Sequence, residues 1–315
     1  MADGAGRLAY DPAMTATPSP FPLRATLIGA SAVLMWATLA LFTTLTGRIP
    51  PFQLAAMAFA VAFALALVFW RVRGVRMRDM VSTPLPVWAL GVGGLFGYHF
   101  FYFMALRNAP PVEAGLIAYL WPLLIVLFSA LLPGERLRWW HVAGAGTGLG
   151  GTAVLVLGGA DGGNIFSIGG ENAFGYGMAG LCALTWSAYS VLSRRFAHVP
   201  TDMIGMFCGV TAILALGAHL VFEQTVWPAD TGQWLAVAAL GLGPVGAAFF
   251  TWDVGMKKGD IRVLGALAYA APLLSTILLI AFGKGTLTVT VGWGAILITG
   301  GAVLASRDML VRKKA

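Results

Sequence analysis

Aromatic side chains that carry polar groups recur inside long apolar segments of this sequence, where polar atoms are uncommon. Tyr98 and Tyr102 lie one helical turn apart, with His99 beside Tyr98. Indole, phenol and imidazole groups offer flat walls together with hydrogen-bonding atoms. They predict a cavity for a small molecule with a bulky apolar body and a polar end. The residues assigned to this cavity are Trp36, Tyr98, His99, Tyr102, Tyr119, Trp186, Tyr189, Trp252 and Tyr269.

Within this cavity we expect the tryptophans to stack, the tyrosines to hydrogen-bond, and His99 to provide a donor or a switchable contact. Aromatic packing within the core and aromatic belts at a membrane interface are the alternative explanation for each of these residues taken singly. The residues form repeat-related pairs, such as Trp36 with Trp186, and this favours a shared cavity.

Catalytic and metal-binding patterns do not emerge from the sequence, so neither an enzyme nor a bound cofactor is predicted. Cys182 and Cys208 fall inside apolar segments and are interpreted as small buried hydrophobes. The glycines at 146–151 match a dinucleotide-binding pattern, but they lie within an apolar span and are better explained as a surface for close helix packing. Gly93 and Gly97, and Gly292 and Gly300, have the same interpretation.

Other ionisable residues fall near the ends of the apolar segments. Asp253 and Lys257 are spaced for an ion pair within one helix. His141 and His219 are expected to be solvated at helix ends. No carboxylate is predicted at the middle of a span, which weakens any proton-coupled scheme that needs a membrane-embedded acid.

Composition identifies the environment in which these residues act. The chain of 315 residues is 58% hydrophobic and 10% charged, with a mean hydropathy of +0.81, which predicts an all-α polytopic membrane protein. Its net charge of +7 sits in short clusters between apolar segments, which argues against nucleic acid as a partner. The ten predicted transmembrane helices are 23–45, 52–70, 86–106, 112–132, 139–157, 174–192, 202–222, 232–255, 263–282 and 289–305.

The positive charges predict the orientation of these helices. With a cytoplasmic N-terminus, every Lys and Arg except Arg48, Arg107 and Lys284 falls on the cytoplasmic side. We therefore expect both termini in the cytoplasm of a bacterium and the helices in its inner membrane, in contact with lipid.

A displacement of 150 residues aligns the two halves of the chain. It places Tyr119 on Tyr269 and Pro122 on Pro272, and the two prolines are expected to bend their helices. The halves are predicted as five-helix repeats, and an odd number of spans gives them inverted topology, the arrangement used for alternating access. The predicted divisions are a tail at 1–22, a repeat at 23–157, a linker at 158–172, a repeat at 173–306 and a tail at 307–315. Because one chain holds both repeats, a monomer is expected.

The segment 110–137 carries a family resemblance. Its proline, the Gly-Glu-Arg-Leu that ends it and the glycine-rich helix that follows resemble the EamA-type unit of the drug/metabolite transporter superfamily. The second half has Gly283-Lys284-Gly285 where Gly-Glu is common, so Glu135 is interpreted as a cytoplasmic-loop contact. Within the superfamily the chain most resembles the YddG-type aromatic amino acid exporters. That resemblance implies a central cavity and export of aromatic and other neutral amino acids; drugs or nucleoside-like metabolites are the alternative cargo.

Overall fold

The computed structural model describes residues 23–133, 136–158, 172–283, 287–305 and 307–308. Within these ranges the chain is helical or irregular and contains no β-strand. The predicted N-terminal tail, Glu135, residues 159–171 of the predicted linker and residues 309–315 lie outside the described residues.

Sixteen α-helices are described in these ranges. They are α1 (Leu23–Ala37), α2 (Leu39–Leu45), α3 (Pro51–Arg73), α4 (Met77–Val81), α5 (Leu85–Val92), α6 (Tyr98–Asn108), α7 (Pro111–Ala118), α8 (Trp121–Ser129), α9 (Trp139–Gly158), α10 (Ala173–Leu192), α11 (Met203–Phe222), α12 (Thr231–Leu242), α13 (Ala248–Lys258), α14 (Ile261–Leu267), α15 (Ala270–Ala281) and α16 (Val289–Ala305). A 3₁₀-helix at Ser193–Phe196 follows α10.

Among the described residues, six helical stretches are long and apolar enough to cross a membrane. They are Leu23–Leu45, Pro51–Arg73, Leu85–Asn108, Met203–Phe222, Thr231–Lys258 and Ile261–Ala281. Each combines consecutive α-helices or is one long helix, and two shorter apolar stretches lie at Ala114–Ser129 and Val289–Ala305. The protein is therefore an all-helical, multi-pass membrane protein.

Helix α3 shows how local sequence sets the ends of these elements. Pro51 occupies its first position, where a missing N–H costs nothing, and Gly74 ends it with a φ of +68°. The Glu223 carboxylate accepts hydrogen bonds from the backbone N–H groups of Phe52, at 2.9 Å, and Gln53, at 3.0 Å. The start of α3 is thereby joined to the end of α11.

Four long helical stretches are interrupted at positions that the displacement of 150 relates to within one residue. π-Helical segments at Gly93–Gly97 and Gly243–Ala247 separate α5 from α6 and α12 from α13. Turns at residues 119–120 and 268–269 separate α7 from α8 and α14 from α15. Single-turn π-helices are often found at functional sites, because they displace side chains relative to a regular helix.

Helix pairing also follows the repeat. Helix α1 packs against α13, and its counterpart α10 packs against α6. Helix α1 also contacts α14 and α15, as α10 contacts α7 and α8. The pairs α3 with α11 and α9 with α16 are each formed by counterparts of one another. Exchanging the two halves therefore leaves this set of pairings unchanged.

Glycines mediate the closest of these approaches, though not all those predicted. A Cβ at Gly144 would lie 2.6 Å from the carbonyl oxygen of Gly301, so α9 and α16 touch backbone to backbone. Gly146 and Gly150 have no neighbour within 4 Å of such a Cβ. The prediction of close packing is wrong for these two residues, because they lie on the opposite face of α9. It is also wrong for Gly93, Gly292 and Gly300, which likewise have no neighbour within 4 Å.

Two histidines differ from their expected solvated positions. His219 is 2% exposed and His141 is fully buried. The His219 ring lies 2.9 Å from Glu223 Oε2 through Nδ1 and 2.9 Å from Thr225 Oγ1 through Nε2. The prediction was wrong because protein atoms, rather than water, surround both rings; His141 accepts through Nδ1 from the backbone N–H of Arg138 at 3.1 Å.

Candidate functional site

A cluster of four tryptophans lies where α1, α8, α10 and α13 meet. The Trp36 ring centroid lies 4.9 Å from that of Trp252 and 5.8 Å from that of Trp186. Trp121, at the start of α8, lies 6.1 Å from Trp36 and 6.0 Å from Trp252, with both contacts edge to face. These separations are typical of favourable aromatic pairs, and they join both halves of the chain.

Tyrosines extend this cluster along α6. Tyr98 lies 5.3 Å from Trp186 and stacks on Tyr102 at 6.2 Å, with the two rings inclined by only 3°. Tyr119 directly follows α7, which packs against α6 and α10. Tyr189 also contacts Trp186, with the ring centroids 5.2 Å apart. Tyr98, Tyr102 and Tyr119 are half-buried, so this side of the cluster is more open than Trp121, Trp186 and Trp252, which are buried.

His99 lies on a different face of α6 from the stacked tyrosines. Its ring lies 5.1 Å from Phe59 and 6.2 Å from Phe249, in both cases edge to face. Nδ1 lies 2.7 Å from the carbonyl oxygen of Leu95. Because a carbonyl only accepts hydrogen bonds, Nδ1 carries the proton and a neutral ring leaves Nε2 as an acceptor.

Hydrogen-bond partners divide the predicted site residues into two groups. Trp36 donates through Nε1 to the carbonyl oxygen of Pro244 at 3.0 Å, and Trp252 donates to Ser190 Oγ at 3.1 Å. These indole groups are engaged by the protein. In contrast, several polar groups have no hydrogen-bond partner among the described residues, so they can contact a ligand. They are the hydroxyls of Tyr98, Tyr102, Tyr119 and Tyr189, the indole N–H groups of Trp121 and Trp186, and His99 Nε2.

Tyr269 lies apart from the aromatic cluster. It is fully buried in a separate group of packed residues with Val126 and Ile298. Its hydroxyl accepts a hydrogen bond from the backbone N–H of Leu123 at 3.1 Å. Thus Tyr269 supports the start of α8, where the turn at 119–120 interrupts the helical hydrogen bonding.

The two prolines are buried and follow the helix interruptions closely. Pro122 is the second residue of α8, and Pro272 is the third residue of α15. A proline cannot donate to the carbonyl four residues earlier, and that carbonyl lies in each case at or just before the turn. Their position accounts locally for the breaks in both stretches.

Sequence comparison of the two halves missed Trp121 and Phe249. The position equivalent to Trp121 is Ala271, and the position equivalent to Phe249 is His99, so neither forms an aromatic pair under the displacement. The Trp-Pro dipeptide at 121–122 was the available signal for Trp121, since the proline marks a bend in an apolar span.

Two surface grooves lie away from the cluster. One, of about 620 Å³, is lined by Leu23, Leu27 and neighbouring residues of α1. The other, of about 420 Å³, lies beside α4 and includes Arg76 and Asp202. Neither groove brings together aromatic rings and unpartnered polar groups, as the tryptophan and tyrosine cluster does.

Known proteins with similar sequences are transporters. The model of the EamA-like transporter family matches residues 23–157 and again residues 173–307. An aromatic amino acid exporter, YddG, of Ancylobacter novellus is 56% identical over 90% of this chain and 96% of its own length. The exporter of the same name from Salmonella typhimurium is 28% identical over 89% of this chain and 96% of its own length.

A more distant relative and a solved structure extend the comparison. A probable terminal-alkyne amino-acid exporter of Streptantibioticus cattleyicolor is 25% identical over 81% of this chain and 82% of its own length. A crystal structure 53% identical in sequence superposes with a TM-score of 0.84, covering 90% of this chain and 98% of its own. These matches confirm the resemblance recognised in the sequence and identify a membrane transporter, not an enzyme. The chain belongs to the EamA-like transporter family.

Proposed function

We propose that this protein exports aromatic and other neutral amino acids from the cytoplasm across the bacterial inner membrane. The observation that carries the proposal is the set of unpartnered polar groups around an aromatic cluster. An amino acid with an aromatic side chain presents a flat apolar ring at one end and charged polar groups at the other. Trp121 and Trp186 supply surfaces for the ring, and the hydroxyls of Tyr98, Tyr102 and Tyr119 supply partners for the polar end.

Within this proposal His99 provides an acceptor through Nε2, which suits an ammonium group. Trp36 and Trp252 form the walls behind the ligand, because their polar atoms are already occupied. Tyr189 lies at the edge of the site, against Trp186. Tyr269 and the two prolines shape the helices around the site rather than touch the ligand.

Alternating access between two inverted five-helix repeats is the proposed mechanism of transport. Ten membrane-spanning helices with both termini in the cytoplasm are part of the proposal, as is a monomeric transporter. Support comes from the twofold match of the family model and from helix pairings that are preserved when the halves are exchanged. The interruptions at 119–120 and 268–269 then serve as bends about which the helices move.

Transport by the purified protein in liposomes tests this function. We expect accumulation of labelled phenylalanine and tryptophan inside protein-containing vesicles, and none in vesicles without protein. Parallel assays with and without a proton gradient establish the driving force. Transport of a cationic dye or a nucleoside, with no movement of any amino acid, would reject the proposed substrate class and favour the alternative cargo.

A further inference from the structure

One end of the molecule departs from the symmetry of the two halves. Residues 190–201, which end α10 and lead to α11, lie against α13. The equivalent segment of the first half includes α2, and the helix equivalent to α13 is α6. Helix α2 packs mainly against α12 and α15, and no comparable packing joins α2 to α6 in the described residues.

Polar side chains hold residues 190–201 to α13. Arg194 donates through Nε to the carbonyl oxygen of Met256 at 2.9 Å and through Nη2 to that of Gly259. These bonds satisfy carbonyl groups at the end of α13, which have no partner within the helix. The guanidinium of Arg194 therefore joins the 3₁₀-helix that follows α10 to the end of α13.

A buried ion pair strengthens the same contact. Lys257 Nζ lies 2.9 Å from Asp253 Oδ2, as the spacing predicted, and both side chains are nearly inaccessible to solvent. Thr201 donates to the same carboxylate oxygen at 2.7 Å. Lys257 also donates to the carbonyl oxygen of Val199 at 3.0 Å. The Asp253 and Lys257 charges thus pair with each other, and each also hydrogen-bonds to the segment 190–201 that lies against α13.

The equivalent positions at the opposite end lack this chemistry. Asp253 corresponds to Phe103, Thr201 to Pro51 and Arg194 to Thr44. Thr44 donates to the carbonyl oxygen of Ala40 in its own helix. Arg107, the counterpart of Lys257, is exposed and donates to the carbonyl oxygen of Phe222 at 3.3 Å, rather than to the segment that contains α2.

Burial follows the same asymmetry. In α13, Phe249, Trp252, Asp253 and Met256 are buried. In α6, the corresponding residues His99, Tyr102, Phe103 and Leu106 are half-buried. The aromatic cluster is therefore covered on the side of α13 and less covered on the side of α6.

We propose that Arg194, Thr201, Asp253 and Lys257 form a polar latch that holds the transporter closed at the end where α10 meets α13. This inference rests on the proposed function for its role in the transport cycle, in which the latched end is the cytoplasmic one. Opening toward the cytoplasm requires these bonds to separate together. At the opposite end the equivalent positions hold Phe103, Pro51 and Thr44, so the described residues show no matching set of charged side chains between α6 and the segment that contains α2.

Thiol labelling of a buried reporter tests the latch. Val199 is 8% exposed and lies within the contact, so a cysteine placed there (Val199→Cys) reacts with a polar maleimide only when the contact opens. The background carries Cys182→Ala and Cys208→Ala. Purified protein in nanodiscs presents both membrane faces to the reagent, so the result does not depend on orientation or on any substrate.

Asp253→Asn leaves the Lys257 charge without its partner and is expected to raise the labelling rate of the introduced cysteine at least about tenfold. Thr201→Val removes one hydrogen bond and is expected to raise the rate less. The matched control is Arg107→Gln, at the position equivalent to Lys257, for which the rate is expected to stay unchanged.

Equal labelling rates in the parent and Thr201→Val would overturn the latch, provided that these two proteins each elute as a single species and keep their helical circular dichroism. The latch would also be overturned if Arg107→Gln raised the labelling rate as much as Thr201→Val does. Should Asp253→Asn not fold, Thr201→Val decides the outcome. Because labelling needs no cargo, a negative amino acid transport assay with a positive labelling result would reject the proposed function and leave the latch intact.

Discussion

A hydroxyl without a protein partner is the clearest sign, at the scale of single residues, of a group available to a ligand. The Tyr102 hydroxyl has no hydrogen-bond partner among the described residues, whereas the Tyr269 hydroxyl accepts from the N–H of Leu123. Removing each oxygen by substitution with phenylalanine keeps the ring and its packing. The two variants therefore separate ligand binding from structural support.

Tyr102→Phe is expected to leave thermal stability unchanged and to reduce amino acid transport by about tenfold, the value of one hydrogen bond of about 1.4 kcal/mol. Transport is measured in liposomes at equal amounts of reconstituted protein. Undiminished transport by Tyr102→Phe would remove this residue from the substrate site.

Tyr269→Phe is expected to behave in the opposite way. It leaves the buried N–H of Leu123 without an acceptor, at a cost of about 1–3 kcal/mol in the free energy of unfolding. Thermal unfolding in detergent, followed by fluorescence or by aggregation, measures the loss. A melting temperature equal to that of the parent would show that another group or water takes the place of the hydroxyl.

At the scale of the helices, the main feature that was not predicted from the sequence is the pair of π-helical segments. Hydropathy located the apolar stretches and the displacement of 150 related them, because both depend on residue type alone. A π-turn adds one residue to a helical turn without changing composition, so the glycines at 93–97 were interpreted only as packing surfaces. The separation of Tyr269 from the cluster was missed for a related reason. Its burial depends on packing against residues of α8, α9 and α16, which the spacing of residues does not specify.

Two neighbouring glycines test the packing of the first π-helical segment. A Cβ at Gly94 would lie 2.4 Å from the Tyr189 ring, while a Cβ at Gly93 would have no neighbour within 4 Å. Gly94→Ala is expected to destabilise the protein by about 1–3 kcal/mol through overpacking. Gly93→Ala is the matched control, since it brings the same helix propensity without the clash.

Thermal unfolding of both glycine variants measures this difference. Gly94→Ala also displaces Tyr189 from Trp186, so we expect reduced transport by the protein that remains folded. Equal stability of the two variants would mean that α10 moves away from this segment at little cost.

Taken as a whole, the molecule combines a symmetric frame with an asymmetric distribution of charge. The pairings of α3 with α11 and of α9 with α16 link the two halves, while the buried pairs of an aspartate with a lysine or an arginine lie where α10 meets α13 and where α14 begins. The latter includes Asp260 and Arg262, which are 3.0 Å apart. Under the proposed orientation, this charge lies on the cytoplasmic side, together with most of the arginines and lysines. Under the proposed alternating-access mechanism, we expect the symmetric helix packing to permit two conformations and the latch charges to favour the one closed toward the cytoplasm.

The same orientation makes a prediction that does not depend on transport. An even number of spans places both termini on one side, and the distribution of basic residues places that side in the cytoplasm. A fluorescent protein fused after Ala315 is expected to fluoresce in cells, because this reporter matures in the cytoplasm. Alkaline phosphatase inserted at 160–168, between the two family units, is expected to be active, because that enzyme matures outside.

Exchanging the reporters provides the control for the topology experiment. Phosphatase after Ala315 should be inactive, and the fluorescent protein at 160–168 should remain dark. An active C-terminal phosphatase together with an active phosphatase at 160–168 would require an even number of spans in the second unit. The second unit would then not be a five-span copy of the first, and the five-helix inverted repeat, together with alternating access built on it, would have to be abandoned.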